Sequence, residues 1–386
     1  MTPVTVNRKA EDRLDSGHPW IYSSDVLACG NAAPGEAVRV VNQRGRFLGV
    51  AHFSAASQIR LRVLTREDRP IDRGFFLERL RAALDFRTRV VSGSDAWRLV
   101  HAEADLMPAL IVDHYAGHLA VQFLDQGMDR AAPLILECLL ELLEPESVIA
   151  RNDVPVRRLE QLPLEPRVLQ GEPPQRIQVR MNGLSLLVDP LHGQKTGVFL
   201  DQRENYVAAA RWARGRGLDL FTCTGGFALH AASRCQSIEA VDSSAASLEL
   251  AAENARLNAI GNIEWREANA FDYLTGLVTA RRQFDWIVLD PPAFAKSRSN
   301  LDAALRAYRE INFKALKLLA GGGVLVSCSC SHHLSEAALL GLVASAALSA
   351  GRTLRVLERR TQAADHPILL TVPETCYLKC LILQAM

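Results

Sequence analysis

The sequence predicts an α/β protein: a mostly parallel sheet with helices on both faces, preceded by a small β-barrel and a central α+β domain. Three observations carry this. At 386 residues, with 48% hydrophobic and 23% charged positions, the chain can bury a sizeable core and divides into two or three domains. From about residue 195 onward, strand-like and helix-like segments alternate, the pattern of a parallel sheet with crossover helices. Ahead of that, short strands broken by turns fill the first seventy residues, and the period changes to helical at Asp72.

In order, GEAVRVVNQ, an Arg44-Gly45-Arg46 hairpin tip, FLGVAHFS and QIRLRVLT make the barrel, with Arg60 and Arg62 expected to alternate outward. RGFFLERLRAALDFRTRVV reads as a helix, followed by LVHAEAD, the hairpin candidate ALIVDHYAGHLAVQFL, a helix near 129–143 and SVIARND. The Pro- and Glu-bearing stretch LPLEPRVLQGEPPQ reads as a connector to the strand pair IQVRMNGLSLLVDP, whose Asn182-Gly183 is a strong hairpin turn. The expected domains are 1–72, 73–190 and 191–386. In the last, strands LDLF, IEAVD, IEWREAN, FDWIVLD, GVLVSCS, TLRVLER and YLKCLIL are interleaved with helices at 226–235, 244–258, 301–319 and 335–349.

Composition excludes several classes. No apolar run approaches the roughly 20 residues of a membrane-spanning helix, and MTPVTVNRKAEDRLDSGHPW lacks the apolar stretch of a signal peptide, so a soluble cytoplasmic protein is expected. The eight cysteines form no CxxC pair and no Cys/His cluster, which argues against a zinc site and a disulfide scaffold. A net charge of +1 does not announce a nucleic-acid binder, although residues 1–70 hold ten basic side chains against seven acidic ones.

Parallel sheets bind ligands at the carboxyl ends of their strands. After LDLF comes Thr222-Cys223-Thr224-Gly225-Gly226-Phe227, and the next strand ends in Asp242, 17 residues beyond Gly225. Glycines admit a ligand close to the backbone, and the acid is placed to bridge ribose hydroxyls; the GxGxxG dinucleotide pattern is missing. FDWIVLD ends in Asp290-Pro291-Pro292-Ala293-Phe294, where two prolines stiffen the exit into a platform beside the crevice. This segment resembles the Asp/Asn-Pro-Pro-aromatic motif of class I methyltransferases that act on planar nitrogen or carbon centres. The fifth strand runs off into Ser327-Cys328-Ser329-Cys330-Ser331. Cys328 reads as a small buried apolar residue, and Cys330, at the crevice rim, as a nucleophile.

Across essentially its whole length the chain resembles the bacterial 23S ribosomal RNA 5-methylcytosine methyltransferase family. The matching segments are HPWIYSSDV, ASQIRLRVLT, HGQKTGVFLDQRENY (192–206), FTCTGGFA, VDSSAASLELAAENARLN, FDWIVLDPPAFAKS, SCSCS and QAADHPILLTVPETCYLK. The resemblance implies an N-terminal PUA RNA-binding domain, a central α+β domain and a Rossmann-like class I methyltransferase domain that uses S-adenosylmethionine. It implies 23S ribosomal RNA as partner and no membrane; a homodimer is left open. By position, Lys195, Thr196, Phe199, Gln202 and Arg203 help enclose the methyl donor, and Phe221, Thr222 and Gly225 form the first cofactor loop. Asp242 is the ribose acid, Asn269 stands where the family usually has Asp against the adenine amino group, and Asp290 also borders the cofactor. EADLMPALIVD (103–113) departs from the family in lacking its usual glycine turn.

Carbon 5 of cytosine is too weak a nucleophile to take a methyl group unaided, so a group must first add at carbon 6; Cys330 is the candidate. Asp290 would hold the cytosine amino and N3 edge. Glu374 in TVPETCYLK is the candidate base for the carbon-5 proton, since related 5-methyluracil enzymes place a glutamate in a similar segment; His366 is the alternative. Lys296 reads as either a phosphate contact or a solvated lysine. Two other readings stay open: methylation of a purine nitrogen, with Cys330 structural, and a non-catalytic PUA RNA-binding protein.

Overall fold

The computed structural model describes residues 1–191, 193, 197–294 and 300–386. These form two compact units: residues 1–180 with 188–198 and 364–375, and residues 181–187 with 199–363 and 376–386.

In the first unit, six strands between Pro3 and Thr65 form one sheet around a core that includes Val4, Ile21, Val40, Leu48 and Leu61. The hairpin tip at Gly45 adopts a positive φ of 77°, open to glycine without strain. Arg62, expected to point outward, instead lies buried, with Nη1 2.9 Å from Glu160 Oε1 and 3.5 Å from Asp125 Oδ2. Burial is continuous from Leu61 to Thr65, because the face that carries Arg62 is covered by acids distant in sequence. Arg60 is half-buried and donates to the Ser54 carbonyl at 2.7 Å.

A second sheet of five strands runs from Ala96–His101 to Pro166–Gly171 and packs against helices Arg73–Val90 and Gln126–Leu143. Asp72 and Asp125 cap those helices, each accepting from a backbone N–H at 2.7–3.0 Å. The stretch read as a connector holds a strand: Pro166–Gly171 pairs antiparallel with Ser147–Arg151. It is a largely exposed edge strand, so it lacks the alternation that burial imposes.

The second unit is built on a seven-stranded sheet: β1 (Gly215–Leu220), β2 (Cys235–Asp242), β3 (Ile263–Glu267), β4 (Phe284–Leu289), β5 (Leu319–Ser329), β6 (Leu354–Arg360) and β7 (Lys379–Ala385). Their order is β3-β2-β1-β4-β5-β7-β6, with β1 to β5 parallel and β7 inserted antiparallel between β5 and β6. The helices are α1 (Arg203–Ala210), α2 (Gly226–Ala231), α3 (Ala245–Leu257), α4 (Ala270–Thr279), α5 (Leu301–Leu318) and α6 (Glu336–Ala350). Central strands such as β4 read as continuous apolar runs because helices cover both faces. Ile287, Leu289, Leu325 and Leu381 are fully buried there, each contributing roughly 1.5–3 kcal/mol of apolar burial. The order reverses beside β1, which opens a crevice at the carboxyl ends of β1 and β4. No described helix is long and apolar enough to cross a membrane.

Candidate active site

The turn after β1 is tightly wound and closely packed by its own neighbours. Phe221, Cys223 and Gly225, at alternate positions, have φ of 63°, 50° and 86°, left-handed backbone that is unfavourable for the first two residues. A Cβ on Gly225 would lie 2.8 Å from Trp265, and one on Gly226 would lie 2.4 Å from the Tyr206 ring, so both glycines are required sterically. Asp242, at the end of β2, holds this turn: its Oδ2 accepts from Cys223 N at 2.9 Å and its Oδ1 from Ser244 N at 3.0 Å. Each oxygen keeps a lone pair for a ribose hydroxyl.

Beneath the turn lies Asp219, which the motif reading missed. It is fully buried; its Oδ2 accepts from Thr222 Oγ1 (2.6 Å) and Ala228 N (3.0 Å), while Oδ1 has no partner. Burial pushes its carboxyl up to about 7, the Asp290 and Asp242 charges adding to the rise and the two hydrogen bonds opposing it.

Asn269 caps α4, its Oδ1 accepting from Phe271 N at 2.9 Å and Asp272 N at 3.4 Å. That leaves the Nδ2 donor, and not the oxygen, as the group this residue offers to an adenine ring.

At the end of β4, Gln202 Nε2 reaches both oxygens of Asp290 at 3.0 Å. Gln202 Oε1 accepts from Asn205 Nδ2 at 2.7 Å; Asn205 also donates to the Thr361 carbonyl and accepts from Arg360 Nε at 2.9 Å. A buried amide relay therefore orients Asp290. Phe199 accepts from the Tyr206 hydroxyl through its carbonyl at 3.4 Å, and Arg203 is buried on α1.

At the end of β5, Ser329 Oγ donates to the Tyr308 hydroxyl at 2.9 Å and accepts from Ser331 N at 3.2 Å; the same hydroxyl is 3.1 Å from Ser331 Oγ. Cys330, half-buried, is held between these two anchored serines. Tyr308 lies on α5, and its ring meets that of Phe294 from the platform at a centroid distance of 4.8 Å. Cys328 faces Cys380 across the β5–β7 pair, and burial drives its thiol well above the ordinary range. Burial likewise pushes Cys223 and Cys235 to about 11, so these thiols stay protonated.

The second unit thus gathers Phe199, Gln202, Arg203, Phe221, Thr222, Gly225, Asp242, Asn269, Asp290 and Cys330. Glu374 belongs to the first unit, where its Oε2 lies 3.3 Å from His18 Nε2. His366, in that unit too, is buried with Nδ1 3.0 Å from Asp365 Oδ1 and its ring 5.1 Å from that of His101. Lys195, Thr196 and Lys296 lie outside the described residues. Tyr308, Asn205 and Asp219 escaped sequence reasoning, although Asn205 stands within the 192–206 segment and Asp219 beside the glycine turn.

The donor set suits S-adenosylmethionine: Asp242 keeps a lone pair on each oxygen for a diol, the tight Gly225-Gly226 turn leads into α2, and Asn269 stands at the edge of α4. Residues 163–383 match the S-adenosylmethionine-dependent methyltransferase family, and residues 4–66 match a PUA-like domain. The chain is 39% identical over 394 residues to the ribosomal RNA large subunit methyltransferase I of Tolumonas auensis, covering 100% of this chain and 99% of that protein. It is 39% identical over 384 residues to the protein of the same name from Aeromonas salmonicida, covering 97% of each. Among solved structures, a SAM-dependent methyltransferase from Streptococcus mutans shares the fold with a TM-score of 0.85 at 19% identity, covering 100% of both chains. The chain belongs to the S-adenosylmethionine-dependent methyltransferase family, together with the enzymes named ribosomal RNA large subunit methyltransferase I.

Proposed function

We propose that this protein methylates carbon 5 of a cytosine in 23S ribosomal RNA through a covalent adduct on Cys330. The observation that carries the reading is the placement of Cys330 between Ser329 and Ser331, both bonded to Tyr308, whose ring supports Phe294 of the Asp290-to-Phe294 platform. A nucleophile and a base-holding carboxylate thereby share one rigid support, as an addition reaction requires. The names of the relatives support ribosomal RNA as the substrate class, and the PUA-like domain supports an RNA ligand.

S-adenosylmethionine supplies an electrophilic methyl group on a sulfonium. The Cys330 thiolate forms a bond to carbon 6 while Asp290, oriented by Gln202, holds the amino and N3 edge; the electron pair displaced to carbon 5 takes the methyl group, whose bond to sulfur breaks and leaves a neutral thioether. A base then removes the carbon-5 proton, the electrons of that C–H bond restore the ring double bond, and the Cys330–carbon-6 bond breaks to return the thiolate. Glu374 is the base of this reading: its carboxylate is half-exposed, whereas His366 is buried against Asp365 and His101. The target base must be unpaired or flipped to enter such a crevice.

The test is transfer of labelled methyl from S-adenosylmethionine to 23S ribosomal RNA by the wild type and Cys330→Ala, with the product base identified by mass spectrometry. Label in 5-methylcytosine that vanishes in the variant is expected. Undiminished activity of Cys330→Ala, or a methylated purine, sinks the covalent reading in favour of direct nitrogen transfer; no transfer with intact RNA binding leaves a binding protein.

A further inference from the structure

The Cys330 turn has a second anchor that the reaction scheme has not used. Lys379 opens β7 directly opposite Ser329, and it is one of six lysines in the chain. It is buried, and its Nζ donates to the carbonyl of Ser331 at 2.7 Å and to that of Tyr377 at 2.7 Å. Its side chain therefore starts across from the residue before Cys330 and ends on the residue after it. An ammonium has three donors, and the two carbonyls take two.

We propose that Lys379 is a positioning residue for Cys330, clamping the turn through the Ser331 carbonyl and stabilising the Cys330 thiolate with its buried ammonium charge.

The electrostatic surroundings agree. Burial alone lowers the proton affinity of Lys379, while negative charge on Cys330 or Cys376 raises it, which places both thiols within the field of the ammonium. Tyr308 on α5 also faces Cys330, and burial keeps its hydroxyl protonated. Lys379 thus brings a positive charge to this cluster. A cation beside a thiol favours the thiolate, the form that attacks carbon 6. The catalytic part of the inference rests on the covalent reading above; the effect on the thiol does not.

The experiment measures iodoacetamide alkylation of Cys330 against pH in the full chain, by mass spectrometry of the peptide that carries it, for the wild type, Lys379→Met and Lys379→Arg. Half-buried Cys29, in the first unit, serves as the internal control. The wild-type midpoint should lie below the free-thiol value of about 8.5. Lys379→Met should raise it by about one unit, cutting the rate at pH 7 about tenfold, and Lys379→Arg should restore most of it. Methyl transfer by Lys379→Met should fall in kcat, with KM for S-adenosylmethionine unchanged, and recover as the pH is raised. A wild-type midpoint at or above the free-thiol value overturns the proposal even if the methionine variant fails to fold, and so does an unshifted midpoint in a folded variant. If alkylation behaves as expected while Cys330→Ala still methylates, the covalent reading fails and the role of Lys379 toward the thiol stands.

Discussion

The amide nitrogen of Gln202 sits equidistant from the two oxygens of Asp290, 3.0 Å from each. The resemblance of its motif would make Gln202 a cofactor residue; by contact it sets the plane of the carboxylate. Gln202→Leu should therefore lower kcat by about 100-fold through misorientation of Asp290. The dissociation constant for S-adenosylmethionine should move no more than about twofold. Steady-state kinetics beside equilibrium binding separates the two roles, and a large loss of cofactor affinity would return Gln202 to the cofactor.

Asn269 spends its oxygen on the start of α4. An aspartate there would cap the helix equally well and leave a second oxygen for the adenine amino group. Asn269→Asp should tighten S-adenosylmethionine binding by about 1 kcal/mol, roughly fivefold, by calorimetry. Unchanged or weaker binding would mean the adenine is met elsewhere.

Asp219 ties stability to pH. Its carboxyl is raised from 3.8 to about 7 in the folded chain. Across that window the native state keeps a proton that the unfolded state has released, so this group's contribution to stability is lost as pH rises from about 4 to 7. Asp219→Asn cannot ionise. The Tm difference, variant minus wild type, should grow with pH through that window and level off above 7; a difference flat in pH would show that Asp219 titrates normally.

Arg62 is expected to act on stability and not on RNA. Its removal leaves Glu160 and Asp125 buried without their cation. Arg62→Ala should destabilise the protein by about 3–5 kcal/mol in denaturant unfolding, whereas half-buried Arg60→Ala should change stability far less. Comparable small losses in both would place Arg62 back on a solvated face.

Much of the second unit was legible because its signals are local. The helices at 244–258, 301–319 and 335–349 emerge within one or two residues at α3, α5 and α6, two of them behind serine caps at Ser244 and Ser335. Strand-end motifs led to Asp242 and Asp290 for the same reason: the chain itself puts them at the carboxyl edge. What stayed hidden depends on partners far away in sequence. Gln202 meets Asp290 across 88 positions, Lys379 meets Ser331 across 48, and Arg62 is covered by acids on other elements. Helix Arg8–Asp15 and edge strand Pro166–Gly171 were missed as well, being short or exposed and so carrying little apolar pattern.

The tilted contact of Phe294 with Tyr308, whose hydroxyl bonds Ser329 and Ser331, joins two segments that would otherwise bend independently. On the covalent reading, whatever loosens α5, whether heat, denaturant or a mutation remote from the crevice, loosens the grip on the base and the aim of the sulfur together. Inactivation should then proceed as one event: partly warmed enzyme would be a mixture of fully competent and fully silent molecules, not a population that still engages its target but fails to attack it.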